Sequence, residues 1–309
     1  MKPRIPGWLP YERVHGKHNT ISGTVWVWPS LNSPELSRSR EILVYLPPSL
    51  AGGSPAGSTA GSTADRSASA GRVYPVIYFH DGQNMFDGRT SYVGEWHADE
   101  TLQKLAVNGI EAIAVAIPNA QDDRLDEYSP WSGKAAFRRR RVVGHGGLYL
   151  EWLLGSVKPL VDQSFPTRSD REGTGTLGSS LGGLISLYAA VRYPQVFGFI
   201  GAMSPSIRWH DSEIVDLYRA WPAAQPRPRI HLDMGGREWR GAFDDVRDFR
   251  DTLVELGWRE GEDLNYVEDR YATHHEEHWG KRLPDALRFL LRDAAAIDAT
   301  EPASSDSAA

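Results

Sequence analysis

The chain contains no cysteine, which excludes disulfide bonds and thiolate metal sites. It has no apolar run near the roughly 18 residues of a membrane-spanning helix, and residues 1–10 lack the apolar core of a secretory signal. Basic charge is also in deficit, because the formal net charge is −6. Binding to nucleic acid or an anionic membrane needs a basic field. We therefore expect a cytoplasmic protein without nucleic-acid or membrane partners.

Length and apolar content are sufficient for one large domain, with 309 residues of which 40% are hydrophobic. Residues 51–71 are rich in Gly, Ser, Ala and Thr, so we predict a disordered loop inserted between two strands. Residues 295–309, rich in Ala, Ser and Asp, are predicted to form a disordered tail. The whole chain, residues 1–309, is thus expected to form a single domain.

Short apolar runs alternate with helical patterns along the chain. Residues 74–79 and 111–117 resemble strands buried on both faces, and residues 98–107 between them have helical spacing. This β–α–β unit implies a parallel sheet, and therefore an α/β fold. Further strands are predicted at 20–28, 40–46, 173–177, 197–203, 229–234 and 264–267, and further helices at 147–161, 243–256 and 283–291. The first two of these strands form an N-terminal β extension.

Residues 178–183, G-S-S-L-G-G, fit the G-x-S-x-G pattern of a nucleophile elbow. An elbow places its serine on a sharp turn between a strand and a helix, with the hydroxyl exposed above the sheet. A predicted strand precedes Ser180, and Leu184, Leu187 and Val191 follow it at helical spacing. The pattern favours the α/β-hydrolase fold. Since a serine needs a base to become a good nucleophile, an acid and a histidine should follow in that order.

The acid is expected on a loop just past a strand end. Gly235 and Gly236 follow the predicted strand 229–234 and place Glu238 above the sheet. Glu238 is therefore the predicted acid, although a solvated loop carboxylate has the same sequence appearance. Asp233 is the competitor, but it is expected to lie within the strand.

The base is expected in the cluster H-H-E-E-H-W at residues 274–279, before the last helix. His274 is first in the loop and is the predicted general base for Ser180, with His275 as the alternative. His278 is expected to be helical already. His274 and His278 have a spacing that zinc ligands on a helix can show, but a zincin requires Glu where His275 stands. We predict no catalytic metal and no cofactor.

An oxyanion hole needs two N–H donors near the serine. One comes from the residue after the nucleophile, Leu181. The second should come from the loop after an early central strand, where Gly82 lets the backbone turn and Gln83 N–H is the predicted donor. His80 and Asp81 are interpreted as local bracing of this loop.

Together these motifs resemble the esterase family of α/β hydrolases that includes esterase D and enterochelin esterase. The matching stretches occur in family order across residues 22–291; they are H-D-G-Q-N-M-F-D at 80–87, R-L-D-E-Y-S-P-W at 124–131, G-S-S-L-G-G at 178–183, M-S-P-S-I-R-W at 203–209, D-M-G-G-R-E at 233–238 and H-H-E-E-H-W at 274–279. The resemblance implies a mostly parallel sheet flanked by helices, carboxylic-ester hydrolysis, and His274 and Glu238 as catalytic partners. His275 departs from the Asn that family members commonly have. Some siderophore esterases of the group work with a Ser–His pair, which would make Glu238 dispensable.

The family's substrates include catecholate siderophores, feruloyl and acetyl sugar esters and formyl thioesters, and some members are acyltransferases. In this sequence, Trp131, Trp209 and Trp239 suit an aromatic or sugar-bearing ester, and Arg124 either shapes the pocket or forms a structural salt bridge. The run R-R-R-R at 138–141 either attracts an anionic substrate or is a solvated face.

We therefore predict a serine esterase that acts through an acyl-enzyme on a small-molecule ester, with aromatic or siderophore-type esters as candidates. A sugar-ester esterase and an acyltransferase of the same fold are alternatives. A non-catalytic binding module is a third reading, disfavoured because Ser180 and His274 are both present.

Overall fold

The computed structural model describes residues 5–51, 71–134, 141–294 and 297–298. The strands are β1 (Leu9–Pro10), β2 (Thr24–Ser33), β3 (Arg38–Leu46), β4 (Arg72–Val73), β5 (Val76–His80), β6 (Ile113–Ile117), β7 (Gly133–Lys134), β8 (Arg141–Val142), β9 (Thr174–Ser179), β10 (Phe199–Met203), β11 (Arg229–Gly235), β12 (Leu264–Asp269) and β13 (Ile297–Asp298). The helices are α1 (Tyr11–His15), α2 (Pro48–Ala51), α3 (Ala98–Ala106), α4 (Arg124–Tyr128), α5 (Gly146–Trp152), α6 (Lys158–Ser164), α7 (Leu181–Arg192), α8 (Glu213–Arg219), α9 (Ala242–Glu255) and α10 (Glu276–Leu291).

A nine-stranded sheet with the order β1-β2-β3-β6-β5-β9-β10-β11-β12 organises the molecule. From β6 to β12 every neighbouring pair is parallel, as the alternating strand and helix pattern predicts. The N-terminal strands β1, β2 and β3 continue the sheet as antiparallel strands. The predicted fold class, a mostly parallel α/β sheet with an N-terminal β extension, is confirmed.

Helices cover both faces of the sheet, because the central strands bury successive side chains on opposite sides. In β5, Val76 and Tyr78 belong to the core on one face, and Ile77 and Phe79 to the core on the other. Helices α5, α6, α7 and α9 pack on the first face, whereas α3 and α10 pack on the second. The central strands are therefore shielded from water on both sides.

Several elements differ from the sequence-based prediction. Strand β2 runs on past Trp28 to Ser33, and a bulge between Trp28 and Leu31 accommodates Pro29, which cannot donate a ladder hydrogen bond. A turn of π-helix, Leu153–Val157, joins α5 and α6, so the predicted helix 147–161 is one longer irregular helix. Helix α10 begins at Glu276, well before the predicted start at 283. The short helix α8 was not predicted.

The predicted loop 51–71 falls mostly outside the described residues, as does most of the predicted tail 295–309. Within that tail, Ile297–Asp298 form β13 and pair antiparallel with β4. A two-residue pairing of this kind is made by main-chain groups and leaves no side-chain periodicity in the sequence. Among the helices described, none combines the length and apolar character that a membrane crossing requires.

Candidate active site

The elbow at Ser180 joins β9 to α7 through a tight turn. Ser180 has φ 57° and ψ −121°, a backbone conformation that non-glycine residues rarely adopt. A Cβ on Gly178 would lie 2.7 Å from the backbone carbon of Gly182, and one on Gly183 would lie 3.1 Å from Cβ of Pro205. Glycine is therefore needed at these positions so that the backbone can close around the serine.

The elbow lies where the strand order of the sheet reverses direction. From β5 the chain moves to β6 on one side, whereas β9 pairs with the other edge of β5 and leads on to β10. In an α/β sheet, the loops that leave the carboxyl ends of two such strands diverge and open a crevice. The loop that begins at Asp81 and the elbow at Ser180 leave these two strand ends side by side.

The two predicted oxyanion donors are the backbone N–H groups of Leu181, which follows β9, and of Gln83, which follows β5. Leu181 is the first residue of α7, so its N–H has no acceptor within the helix. Gln83 is held in place because its Oε1 accepts from Asn119 N at 3.0 Å and its carbonyl accepts from Thr90 Oγ1 at 2.8 Å. Among the described residues, no hydrogen bond uses Gln83 N–H. Both predicted oxyanion donors are therefore unengaged.

His80 and Asp81 connect this loop to the interior. His80 lies between Tyr149 OH and Thr176 Oγ1, each at 2.9 Å from a ring nitrogen. Burial lowers the pKa of His80 to about 3, so the ring is neutral at physiological pH. Asp81 has a left-handed backbone, with φ 55°, and its N–H donates to Tyr128 OH at 3.0 Å. These contacts brace the end of β5 from below the site.

Arg124 forms a bidentate ion pair with Asp81, with distances of 2.6 Å from Nε to Oδ1 and 2.8 Å from Nη2 to Oδ2. Asn119 Nδ2 also donates to Oδ1 at 2.6 Å. Burial by itself raises the pKa of Asp81, but the charge and hydrogen bonds of Arg124 outweigh it and hold the pKa below 3.8. The guanidinium also lies over the Tyr128 ring. Arg124 thus has a structural contact, and a substrate contact by the same group stays a prediction.

Glu238 and His274 form a short hydrogen-bonded pair, with 2.6 Å between Oε2 and Nδ1. The Glu238 side chain is fully buried, whereas that of His274 is 34% exposed. A carboxylate can only accept, so the pair is satisfied when Nδ1 carries the ring proton. That tautomer leaves Nε2 as a free proton acceptor on the open side of the ring.

A buried polar network holds Glu238 from behind. Its Oε1 accepts from Ser204 Oγ at 2.5 Å and from Gly235 N at 2.8 Å. Ser204 Oγ in turn accepts from Trp279 Nε1 at 2.9 Å and from Arg282 Nη2 at 3.0 Å. Sequence reasoning missed Ser204, Trp279 and Arg282 as site residues. Ser204 and Trp279 lie within recognised motifs, whereas Arg282 lies three residues past the motif at 274–279 and belongs to none.

Asp233, the competing acid, lies within β11 and is completely buried. Both of its carboxylate oxygens pair with Arg282, each at 3.0 Å. Its Oδ1 also accepts from Ser204 N at 2.9 Å. These contacts turn Asp233 toward the interior, where it supports the network rather than a histidine of the 274–279 cluster.

The other two histidines of the cluster have structural contacts. His275 caps α10, and its Nδ1 accepts from Glu277 N at 3.2 Å. His278 lies in α10 as expected, and its Nδ1 is 2.9 Å from both the backbone N and the Oγ1 of Thr273. Their ring nitrogens therefore stabilise the start of the helix, while His274 faces Glu238.

Ser180 Oγ is 3.4 Å from Ser206 Oγ, and no described hydrogen bond joins it to His274. Ser206 N also donates to Ser180 O at 3.0 Å, which ties the loop after β10 to the elbow. Catalytic hydrogen bonds are often loose before substrate binds, so this arrangement leaves the serine–histidine contact open.

Aromatic rings surround His274. Its ring centre lies 4.8 Å from that of Trp279, edge-on, and 5.7 Å from that of Trp239. Trp279 is buried, but Trp239 is 37% exposed at the surface of the site. Trp131, in the segment after α4, stacks on His210, and Trp209, in the loop after β10, donates from Nε1 to Ser129 Oγ of that segment at 2.7 Å. Of the arginine run, residues 138–140 lie outside the described residues.

A parallel sheet with a serine elbow, followed along the chain by a paired carboxylate and histidine, defines the class of α/β hydrolases. The family model described as "Putative esterase" matches residues 33–290, so the chain belongs to this esterase family. It is accordingly a carboxylic ester hydrolase.

Individual relatives agree with the family assignment. YbbA of Bacillus subtilis, an uncharacterized protein, is 26% identical over 264 residues, which are 82% of this chain and 92% of that protein. The siderophore triacetylfusarinine C esterase of Aspergillus fumigatus is 32% identical over 153 residues, 48% of this chain and 49% of that enzyme. Among solved structures, an IroE-like serine hydrolase of Shewanella oneidensis has a TM-score of 0.63 at 18% identity, covering 85% of this chain and 79% of that one. This structural likeness shows the fold.

Proposed function

We propose that this protein hydrolyses carboxylic esters through an acyl-enzyme on Ser180, with His274 as general base and Glu238 as the carboxylate that orients it. The observation that carries the proposal is the 2.6 Å contact between Glu238 and Nδ1 of His274. It gives the histidine the tautomer in which Nε2 accepts a proton. Support for Ser180 as the nucleophile comes from two hydrogen bonds: Ser180 N donates to Met203 O, and the adjacent Ser204 donates to Glu238.

In the proposed reaction, Ser180 Oγ bonds to the ester carbonyl carbon while its proton moves to Nε2 of His274. The negative charge on the carbonyl oxygen is stabilised by Gln83 N–H and Leu181 N–H, both without other described acceptors. His274 then returns the proton to the leaving alcohol as the carbon–oxygen bond breaks. Water, activated by the same histidine, releases the acid and restores Ser180.

For the substrate, we propose an ester whose acyl or alcohol part carries an aromatic ring. The half-exposed ring of Trp239 lies beside His274, and Tyr271 on the neighbouring loop is 64% exposed. Relatives named as siderophore esterases from Aspergillus and Emericella support an ester of the siderophore type. A ferulic acid esterase among the solved structures shares the fold.

The mechanism is tested with Ser180→Ala and a nitrophenyl acetate assay. The variant should lose at least about 10⁴-fold in kcat, since it has no nucleophile, while keeping its circular dichroism spectrum and melting temperature. Ser206→Ala is the matched control, because it removes a neighbouring hydroxyl, and we expect less than about a tenfold loss. Wild-type rates in Ser180→Ala would refute the mechanism.

The substrate proposal is tested separately with feruloyl, catecholate and acetyl-sugar esters. We expect kcat/KM to be highest for the aromatic esters, and Trp239→Ala to raise KM for them more than for nitrophenyl acetate. Equal or better turnover of the acetyl sugar would refute the aromatic preference without touching the mechanism. Adding an acceptor alcohol distinguishes acyl transfer from hydrolysis through the product formed.

A further inference from the structure

Away from Ser180, a second group of ionisable side chains lies at the start of α3. Glu95, His97 and Glu100 each offer a ligand atom, and these atoms all lie within 4.8 Å of one another. His97 Nδ1 is 3.6 Å from Glu95 Oε2 and 3.4 Å from Glu100 Oε1. Neither the family assignment nor the proposed mechanism gives these residues a task.

The Glu95 carboxylate is unusual for a residue in a surface cluster. Its side chain is only 5% exposed, and its Oε1 is buried without a hydrogen-bond partner among the described residues. Burying an ionised carboxylate with an unsatisfied oxygen is unfavourable unless a partner compensates it. Glu100 Oε2 is also buried, and the Glu100 carboxyl group shares a hydrogen bond with Asp99. Both glutamates belong to the same small cluster.

Positive charge from the protein does not compensate this cluster. In the part of the chain that the structure describes, no lysine or arginine forms an ion pair with Glu95, Asp99 or Glu100. Asp99 is completely buried beside them, and its Oδ2 accepts from Ser22 N at 2.6 Å. A cation from solution would compensate the charge of Glu95, and the 61% exposure of His97 leaves a path for it.

We propose that Glu95, His97 and Glu100 form a binding site for a divalent cation of the zinc class, with His97 Nδ1 and one oxygen of each glutamate as ligands. Zinc binds imidazole nitrogen and carboxylate oxygen at about 2.0–2.2 Å in a tetrahedron, which separates such ligands by about 3.4 Å. The two nitrogen–oxygen distances of 3.4 and 3.6 Å match this geometry. An imidazole among the ligands favours zinc over magnesium or calcium, which prefer oxygen alone.

The site would join segments that the active site depends on. Glu95 Oε2 accepts from Thr20 Oγ1 at 3.0 Å, which connects the cluster to the N-terminal segment. Trp96, between two of the ligands, packs against Trp279, whose ring contacts His274. Trp96 N also donates to Asn84 O at 2.9 Å, next to Gln83. A bound cation is thus expected to stabilise the fold around the catalytic residues without touching substrate.

The test uses the full-length protein after removal of metal with a chelator. Calorimetric titration with zinc chloride should show one saturable site per chain, and zinc at about 100 times Kd should raise the melting temperature by about 4 °C. Glu95→Gln and His97→Ala should abolish both effects. Both variants are compared with metal-free wild type by circular dichroism, so that misfolding is recognised.

His210→Ala is the matched control for binding, because His210 and Glu213 form a similar histidine–glutamate pair, at 2.8 Å, without a buried third ligand. This variant should bind zinc as wild type does. Absence of saturable zinc binding, its retention in His97→Ala, or its loss in His274→Ala would overturn the proposal. Tighter binding of magnesium or calcium than of zinc would overturn the choice of cation. Because the readouts are binding and melting temperature, failure of the esterase mechanism leaves this test unaffected.

Discussion

Replacing Glu238 with glutamine tests the proposed acid–base pair most directly. Gln has nearly the same shape as Glu, but its amide nitrogen is a donor. Facing Nδ1 of His274 at the observed 2.6 Å contact, that amide would favour the tautomer with the proton on Nε2. The histidine would then present a donor, not an acceptor, to Ser180, although the backbone around it is unchanged.

The expected loss can be estimated from this change of tautomer. An equivalent replacement in a serine triad costs about 10⁴-fold in kcat, which corresponds to about 5.4 kcal/mol in the activation barrier. Because the side chain of His274 is partly open to water and can find the productive tautomer in a minor population, we expect a loss of about 10³- to 10⁴-fold for Glu238→Gln. KM should change little, because Glu238 is buried behind the histidine and does not face substrate.

The assay is steady-state hydrolysis of nitrophenyl acetate from pH 6 to 9, together with thermal unfolding. Glu276→Gln is the matched control. Glu276 is another buried glutamate, two positions after His274 in the sequence, and its described partner is Asn84 Nδ2 at 3.4 Å. We expect that control to lose less than about tenfold in kcat. A Glu238→Gln enzyme within tenfold of wild type would refute the reasoning, and the site would then work as a Ser180–His274 pair.

Two further predictions concern the scaffold of the site. Gly82→Ala should destabilise the protein by about 3 kcal/mol and lower kcat, because the new Cβ would lie 2.3 Å from Ile117 N and displace the loop that carries Gln83 N–H. Chemical denaturation measures the loss of stability, and nitrophenyl acetate kinetics measure the change in kcat. Unchanged values would contradict the packing argument. For Asp233, burial raises the pKa but the Arg282 charge outweighs it and holds the pKa below 3.8. The ionised Asp233 carboxylate therefore stabilises the folded state above pH 3.8, and this stabilisation is lost as the pH falls through the lower pKa that Asp233 has in the folded state. The free energy of unfolding should therefore decline less below pH 4 in Asp233→Asn than in wild type.

Much of the sheet could be predicted because its strands are buried on both faces. The apolar runs at 111–117, 197–203 and 229–234 coincide closely with the observed strands β6, β10 and β11, and each strand ends within one residue of the predicted end. Helix starts were harder to predict. Helix α10 begins within the polar cluster H-E-E-H, which has no apolar periodicity, and the cap by His275 defines the start instead.

In the site, too, residues within local sequence patterns could be predicted, whereas contacts between distant positions of the chain could not. Ser180, Glu238 and His274 stand at loop positions that local patterns can identify. The network behind them is different, because Arg282 meets Asp233 across 49 positions of the chain and Trp279 meets Ser204 across 75. No local sequence pattern predicts either contact, because both form when α10 packs against β10 and β11. The N–H donors of Leu181 and Gln83, which have no described acceptor, likewise depend on backbone geometry that a sequence pattern only suggests.

The positions of the exposed aromatic side chains Trp239 and Tyr271, here called the aromatic rim, limit how this enzyme can change its substrate. Trp239 lies on the same β11–α9 loop as Glu238, and Tyr271 lies on the same β12–α10 loop as His274. Remodelling the rim on this side would move the catalytic acid or base at the same time. The segment after α4 carries Trp131 and the Ser129 hydroxyl that contacts Trp209, but it carries no proposed catalytic side chain. Divergence in substrate choice, natural or engineered, should therefore concentrate on segments of this kind, where changes leave the contact between Glu238 and His274 intact.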